Sequence, residues 1–270
     1  SNKTTETSKA GFKQEIGLFG GVSMLGSIMI GGGIFYLGSY VLQRTDFSMG
    51  LSLLCWVIGG IITMLGGLCF AEMGAMLPKA GGMTVYLNTA FHPLVGFLNG
   101  FNSWLLSGAG SLAAGALAFS AIFGLTGTTG KLVASALMIA FTAYNMLGIK
   151  AGSMFQNFTM VAKLIPIAII MISALLMGDV SPDLAILPEG TSFDFSSFIR
   201  MTAFATLATL WAYEGWINLN TVSEEMKNPK RNLPLSLIIA IGGITLLYVL
   251  FNYAIYRVIP ADEVRSLIDS

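Results

Sequence analysis

Long stretches without a charged residue constrain the fold of this chain more than any other feature. A membrane interior about 30 Å thick requires roughly 20 apolar residues of helix. Two long stretches contain one ionisable residue each, Lys163 in Ala151–Gly178 and Glu214 in Met201–Ser223. Five more contain none: Ile16–Gln43, Phe47–Ala71, Ala80–Gly130, Leu132–Ile149 and Asn232–Tyr256. The sequence therefore predicts an all-α membrane protein with seven spanning helices, the third of which starts near Leu94.

The composition excludes most classes of soluble protein. Charged residues make up 10% of the chain and hydrophobic residues 54%, whereas a soluble domain carries about 25% charged residues. A water-facing enzyme, a disordered chain and a disulfide-rich secreted module are therefore excluded. Basic and acidic residues balance, so nucleic-acid binding has no electrostatic support. Cys55 and Cys69 would lie about 21 Å apart on a straight helix, too far for a disulfide. We expect no cofactor, no metal site and no catalytic residue.

The distribution of basic residues sets the predicted orientation. With residues 1–15 as a cytoplasmic tail, eight Lys and Arg residues lie in inner segments and five in outer ones, in agreement with the positive-inside rule. In that orientation, we expect the first five helices at 16–178 with an inner surface segment at 78–93, an outer loop at 179–197, the sixth and seventh helices at 198–258 and an outer segment at 259–270. The chain would then stop just after its seventh helix, as a piece of a longer protein.

Ionisable residues at the predicted inner surface are expected to have structural roles. His92 precedes Pro93, which favours a structural role over proton relay. Glu224 and Glu225 are followed by three basic residues, with which they are expected to form ion pairs at the inner surface or at an inner gate: Lys227, Lys230 and Arg231.

Two of the predicted spans contain residues that interrupt a helix. The first carries Gly31–Gly33 near its middle, and each glycine costs about 1 kcal/mol of helix stability relative to alanine. The sixth carries Glu214 and Gly215 at a comparable depth, between Trp211 and Trp216. Unsatisfied backbone groups cannot face lipid, so breaks at these positions would line a cavity enclosed by protein. The alternatives are close helix packing for the glycines and a buried structural hydrogen bond for Glu214.

The positions of the two breaks indicate a transporter. They lie five spans apart, and because five is odd, a second five-helix repeat would be inverted across the membrane. Glycine-interrupted segments at corresponding positions of inverted halves mark a transporter's binding site. The half-helix from Ile34 onward would direct N–H groups and a positive dipole end at a carboxylate, and the half-helix ending near Trp211 would present carbonyls to an ammonium. The predicted ligand is therefore a zwitterion, an α-amino acid.

Four blocks of sequence resemble the amino acid–polyamine–organocation transporters, and among them the L-amino-acid-transporter-like bacterial permeases and exchangers, including serine/threonine exchangers. The blocks are Gly31-Gly32-Gly33-Ile34-Phe35; Ala71-Glu72-Met73-Gly74 with Pro78-Lys79-Ala80-Gly81-Gly82 and Tyr86-Leu87; Gln156-Asn157 to Lys163-Leu164; and Ala212-Tyr213-Glu214-Gly215-Trp216 with Glu224-Glu225 and Lys227-Asn228-Pro229. The resemblance covers the whole chain. It implies the leucine-transporter-type fold of five-plus-five inverted repeats, with about seven of an expected twelve helices present.

The resemblance also implies roles for individual residues. The N–H groups of Gly32 and Gly33 would bind the carboxylate, carbonyls at the two breaks would bind the ammonium, and Trp211 would occupy the position of an aromatic gate. Family members usually carry serine where Gly32 stands, so a hydroxyl contact is missing here. The complete set of implied substrate-binding residues is Met29, Gly31, Gly32, Gly33, Trp211, Ala212 and Glu214.

Lys163 is the implied coupling or conformational residue. Its ammonium would stand where related sodium-driven transporters hold a sodium ion and would tether the first helix to the fifth, which disfavours sodium coupling. The alternative is a side chain that extends toward the inner membrane surface.

The expected function is sodium-independent transport of neutral L-amino acids across the plasma membrane by alternating access, through exchange. The alternatives are a proton-coupled symporter, a carrier of amines or acidic amino acids, and a membrane sensor that binds an amino acid without moving it. We do not expect an enzyme. The expected partners are the amino-acid substrate and the lipid bilayer, with no nucleic acid. Residues 125–130 contain no cysteine, so no disulfide-linked heavy subunit is expected.

Overall fold

The computed structural model describes residues 14–146, 149–187 and 194–269. Most of the predicted cytoplasmic tail at 1–15 and part of the predicted outer loop at 179–197 lie outside the described residues. Twelve α-helices occur in the described ranges: α1 (Leu18–Met29), α2 (Gly33–Arg44), α3 (Met49–Met76), α4 (Met83–Ala90), α5 (Pro93–Asn102), α6 (Ser111–Ile122), α7 (Gly127–Asn145), α8 (Ile149–Met177), α9 (Phe195–Ala212), α10 (Asn218–Thr221), α11 (Pro229–Tyr256) and α12 (Ala261–Asp269). A π-helical segment, Ser103–Gly110, joins α5 to α6, and a short 3₁₀ turn, Ser223–Glu225, follows α10.

Helices or helix pairs stand at all seven predicted spans, but they are not equally long and apolar. Within the described residues, four segments are long and apolar enough to cross a membrane: Met49–Met76, Pro93–Ile122, Phe158–Met177 and Pro229–Tyr256. The pair α1 and α2, bent by 60°, is a fifth when taken as one broken span. The two remaining predicted spans correspond to α7 and α9, which are shorter helices of 19 and 18 residues.

The chain forms two compact units, one comprising residues up to Gly82 together with those from Pro166 onward, and the other Met83–Ile165. In the first unit, α3 packs against α11 and α9, α1 packs against α11, and α2 packs against α9. Glycines on α3 permit these close contacts, because a Cβ atom at Gly59 would collide with the Thr209 hydroxyl of α9 and one at Gly60 with the Thr245 hydroxyl of α11. Small residues at such contacts let helix backbones approach closely.

In the second unit, α4 packs against α5 and α6 packs against α7. The helix α5 begins as its sequence predicts, since Nδ1 of His92 accepts a hydrogen bond from the Leu94 N–H (3.2 Å) and Pro93 occupies the first turn. A side chain that accepts from the free N–H groups of a first turn stabilises a helix start, and proline at the first position fits that start. The predicted structural role of His92 is confirmed.

Candidate substrate-binding site

The first predicted break is confirmed between α1 and α2. The helix α1 ends at Met29, Ile30 has an extended backbone with ψ of 90°, and α2 starts at Gly33 with its axis turned by 60°. Among the described residues, no atom lies within 4 Å of the position that a Cβ on Gly31 would occupy, whereas one on Gly33 would lie 3.7 Å from Ala212. Because 3.7 Å is an ordinary van der Waals distance, packing against another helix requires glycine at neither position, and the contribution of both residues is the low helix propensity of glycine.

The second predicted break follows α9. That helix ends at Ala212, residues 213–217 form turns, and α10 resumes at Asn218. Gly215 has a φ of +112° and a Cβ there would lie only 2.6 Å from Cγ2 of Ile28. Glycine is thus required at this position for two reasons: the backbone conformation disfavours a side chain, and the last turn of α1 leaves no room for one.

The two breaks lie next to each other, and a tyrosine from α11 joins them. The Tyr248 hydroxyl lies 2.9 Å from the carbonyl oxygen of Met29 and 2.9 Å from that of Ala212. These are the terminal carbonyls of α1 and α9, which have no donor within their own helices. The hydroxyl has one hydrogen, so the two carbonyls share it. Tyr248 was not among the residues predicted from the sequence, although a hydroxyl in the middle of an apolar span is a signal that could have indicated it.

A buried aromatic cluster supports this junction. The rings of Tyr248 and Tyr213 lie 5.2 Å apart, and the ring of Trp56 on α3 lies 5.3 Å from Tyr248 and 6.2 Å from Tyr213. All three side chains are fully buried. The Tyr213 hydroxyl donates to the Trp56 carbonyl oxygen at 2.9 Å. Edge-to-face packing of this kind holds aromatic rings in a defined orientation, so α3, α9 and α11 together fix the junction.

The backbone groups at the junction have the polarity that a zwitterion requires. Gly32 precedes α2 and has no side chain to bind the free N–H groups of the first turn, which carry the positive end of the helix dipole. The carbonyl of Trp211 accepts from the Glu214 N–H at 3.2 Å, and the carbonyl of Met29 accepts from Tyr248. The Trp211 carbonyl also accepts from the Tyr213 N–H, whereas the Met29 carbonyl has a second lone pair and retains capacity for an ammonium.

Trp211 and Glu214 both carry exposed side chains. Trp211 is 67% exposed and lines a cavity of about 450 Å³ with residues of α2, namely Tyr36, Leu37, Ser39, Tyr40 and Gln43. The side chain of Glu214 is exposed as well. The alternative of a buried structural hydrogen bond for the Glu214 carboxylate is therefore wrong, and only its backbone lies at the break.

Lys163 lies on α8 within the second unit, Met83–Ile165, and its side chain is half-buried. The predicted tether between Lys163 and the first helix stays a prediction. A cavity of about 570 Å³ also belongs to this unit, between α6 and α7, and none of the predicted binding residues lines it. Among the described residues, no cluster of His, Cys, Asp and Glu could hold a metal ion.

The inner-loop motif docks onto the segment after the second break through backbone contacts. The Ala80 N–H donates to Oε2 of Glu224 at 3.0 Å, and the Gly81 N–H donates to the Thr221 carbonyl at 3.3 Å. On the other side, Ile16 exchanges backbone hydrogen bonds with Glu225 and Lys227 at 3.0 and 2.9 Å. The expected pairing of Glu224 with the following basic residues is wrong, because its carboxylate caps the 79–82 turn.

Comparisons with known proteins give one family. The family model described as amino acid permease matches residues 16–270. The b(0,+)-type amino acid transporter 1 of Mus musculus is 34% identical over 97% of this chain and 55% of its own length. The serine/threonine exchanger SteT of Bacillus subtilis (strain 168) is 32% identical over 97% of the chain and 59% of its own. The large neutral amino acids transporter small subunit 2 of Mus musculus is 32% identical over 94% and 49%. The chain thus spans about half the length of these relatives.

Proposed function

Because this chain belongs to the amino acid permease family and is a multi-pass membrane protein, we propose that it forms the substrate-binding part of an amino-acid carrier. The family is one of permeases, so the chain is not an enzyme. The proposed activity is sodium-independent exchange of neutral L-amino acids across the plasma membrane, with the N-terminus in the cytoplasm. Relatives named as a serine/threonine exchanger and as a large neutral amino acids transporter support the exchange and the neutral substrate class.

One observation carries this proposal: the two helix interruptions adjoin. Ala212 lies 3.7 Å from the Cβ position of Gly33, and Gly215 contacts the last turn of α1. The positive end of α2 and the carbonyls at the end of α9 therefore border the same small volume. A molecule with a carboxylate and an ammonium one carbon apart can bind both poles at once, whereas an amine or a simple carboxylate can bind only one of them.

The role proposed for Trp211 follows from its exposure. Its indole lines a cavity beside α2 together with Tyr36 and Tyr40. A substrate held by the backbone groups would leave this ring free to cover it, and the covered state would favour the change of access from one side to the other. Differential binding of this kind is what allows a ligand to shift a conformational equilibrium.

Sodium independence is proposed from Lys163, whose ammonium would take the place of a sodium ion. The proposed first five-helix repeat at 16–178, the second repeat beginning at 198–258, and outer segments at 179–197 and 259–270 complete this arrangement. Residues 125–130 contain no cysteine, so we propose that no disulfide joins this loop to a second subunit, although one relative is named a small subunit. The competing proposal, proton-coupled uptake, differs in requiring a pH gradient.

The backbone site can be tested with two substitutions of Gly32. Its φ of −64° is the φ of proline, so Gly32→Pro keeps the chain direction but removes the N–H that would bind the carboxylate. Gly32→Ala keeps that N–H and meets only Tyr36, at 3.9 Å. A hydrogen bond to a charged group contributes about 1.5–3 kcal/mol, so Gly32→Pro should weaken the binding of labelled serine at least about tenfold. Gly32→Ala should change it little.

The transport step is tested with liposomes loaded with unlabelled serine or threonine. Uptake of labelled serine into loaded vesicles, unchanged when choline replaces sodium and when no pH gradient is present, is the expected result. Uptake that needs a proton gradient and no internal amino acid would instead establish symport. Equal serine affinities of the Gly32→Pro and Gly32→Ala variants would remove the backbone site from the proposal.

A further inference from the structure

The turn between α2 and α3 contains two consecutive non-glycine residues in the left-handed region. Asp46 has a φ of +50° and Phe47 a φ of +62°. A non-glycine residue with positive φ is uncommon, and for a bulky one such as phenylalanine it is an outlier that persists only when surrounding contacts impose it. The turn lies at the end of α2 opposite to Gly33, whose end of the helix faces the junction.

The residues flanking the turn are fixed by buried contacts. The Thr45 hydroxyl is buried within hydrogen-bonding distance of the carbonyls of Val41, Leu42 and Ser48, at 3.3, 3.0 and 3.1 Å. The Ser48 side chain caps α3 by accepting from the Leu51 N–H. These contacts hold the two ends of the turn, but they do not act on the side chains of Asp46 and Phe47 themselves.

Both strained residues are contacted by one guanidinium, that of Arg265 on α12. Its Nη2 lies 3.6 Å from Oδ1 of Asp46, and its Cζ lies 4.6 Å from the ring centroid of Phe47. The neighbouring Arg44 is engaged elsewhere, since it donates to the Tyr40 hydroxyl and stacks on that ring at 4.8 Å. It therefore does not duplicate the contact that Arg265 makes.

The helix α12 is anchored so that Arg265 reaches the turn. Ala261 and Val264 pack against a buried cluster at this end of the unit, formed by Leu42, Met49 and Tyr256, and Phe47 packs against the same cluster. Leu42 of this cluster belongs to the last turn of α2. The apolar face of α12 therefore packs against the end of α2, and the guanidinium of Arg265 contacts the turn that follows it.

We propose that Arg265 is a positioning residue that keeps Asp46 and Phe47 in their left-handed conformation and thereby fixes the direction of α2. Contacts between exposed side chains are weak when taken singly, and Asp46 and Arg265 are 71% and 49% exposed. The N–H groups of Asp46 and Phe47 also donate to the carbonyls of Gln43 and Leu42, at 3.2 and 2.9 Å, and the ion pair and the cation–π contact act together with these bonds on the two left-handed residues. The consequence for substrate affinity rests on the proposed function, since α2 begins at the proposed carboxylate site. The role of Arg265 in the conformation of the turn is independent of the proposed function.

The first test measures amide hydrogen exchange of residues 45–48 in the whole chain in lipid nanodiscs. Arg265→Gln should accelerate exchange about tenfold, the size expected when an ion pair and a cation–π contact are lost together. Asp262→Asn, a change of the same kind on the same helix, is the matched control and should leave exchange unchanged. Equal exchange in the two variants would overturn the proposal.

The second test asks whether strain is the reason for the effect. Glycine adopts positive φ without steric cost, so the double substitution Arg265→Gln with Phe47→Gly should exchange more slowly than Arg265→Gln alone. If Arg265 only contributed surface contacts, removing the Phe47 ring as well could not restore protection, and a double variant that exchanges as fast as the single one would overturn the role in strain.

Binding of labelled serine separates this proposal from the proposed function. Arg265→Gln should weaken serine binding, and the added Phe47→Gly should restore it. Serine binding that does not respond to Arg265→Gln, in a chain whose exchange does respond, would overturn the link to α2. A wild-type chain that binds no amino acid would contradict the proposed function, while the exchange measurements would still decide the role of Arg265.

Discussion

The shared hydroxyl of Tyr248 gives the most direct test of how the two breaks are joined. Tyr248→Phe removes one oxygen atom and keeps the ring contacts with Trp56 and Tyr213 at 5.3 and 5.2 Å. It leaves the terminal carbonyls of Met29 and Ala212 buried without their donor. A buried group that loses its partner costs about 1–3 kcal/mol, and two carbonyls share this donor, so we expect a loss of about 2–4 kcal/mol in the free energy of unfolding.

The chain provides a matched control in Tyr213→Phe. The Tyr213 hydroxyl is equally buried and donates at the same distance, 2.9 Å, but its acceptor is the Trp56 carbonyl in the interior of α3. A carbonyl inside a helix keeps its own N–H donor four residues later. Losing this hydroxyl should therefore cost only about 1 kcal/mol, the net contribution of a typical hydrogen bond.

Both variants can be compared by reversible unfolding in mixed detergent micelles, with tryptophan fluorescence and helical circular dichroism as signals. The expected order of stability is wild type, then Tyr213→Phe, then Tyr248→Phe. Serine binding should fall in Tyr248→Phe and persist in Tyr213→Phe, since only the first leaves the break carbonyls unsupported. Equal losses of stability in the two variants would refute the reasoning that the terminal carbonyls depend on Tyr248.

Three further outcomes follow from the described contacts. Gly215→Ala should destabilise the chain by more than about 1 kcal/mol in the same unfolding assay, because alanine disfavours φ of +112° and its Cβ would collide with α1; Gly31→Ala, in open space, should not. Hydrogen bonds from the Ser197 hydroxyl and N–H lower the pKa of Asp194 at the start of α9. A lowered carboxyl pKa stabilises the folded state at a pH above the unfolded-state pKa, and this contribution is lost as the pH falls through the folded-state pKa. The protection factors of amides 196–197, taken against intrinsic exchange at the same pH, should therefore fall in acid, and Asp194→Asn should abolish that fall. Glu224→Ala should increase amide exchange at Ala80, while Glu224→Gln, whose carbonyl can still accept, should not.

Sequence reasoning located both helix breaks because their causes are local. The glycines at 31–33 and Gly215 lower helix propensity or require a special backbone conformation wherever the rest of the chain lies. The seven helical positions followed in the same way from the spacing of charges, since long apolar segments must satisfy their backbone groups internally.

The sequence could not reveal the contacts that depend on tertiary packing. That Tyr248 reaches both Met29 and Ala212 depends on how α11 crosses α1 and α9, and no periodicity encodes that crossing. The prediction for Glu224 was wrong for the same reason. Its nearest basic residues in sequence predicted an ion pair, whereas folding brought the N–H of Ala80 to its carboxylate from 144 positions away.

The glycine contacts of α3 also determine where this unit can move. Gly59 and Gly60 offer no side chain that could rearrange to follow a neighbour, and the hydroxyls of Thr209 and Thr245 sit directly against the bare backbone. A helix in such close contact with its partners overlaps with them if it slides or rolls, so we expect α3, α9 and α11 to move together as one block. We therefore expect displacements at the two breaks, where the backbone already lacks helical hydrogen bonds, so that a stiff helix surface directs motion to the proposed binding site.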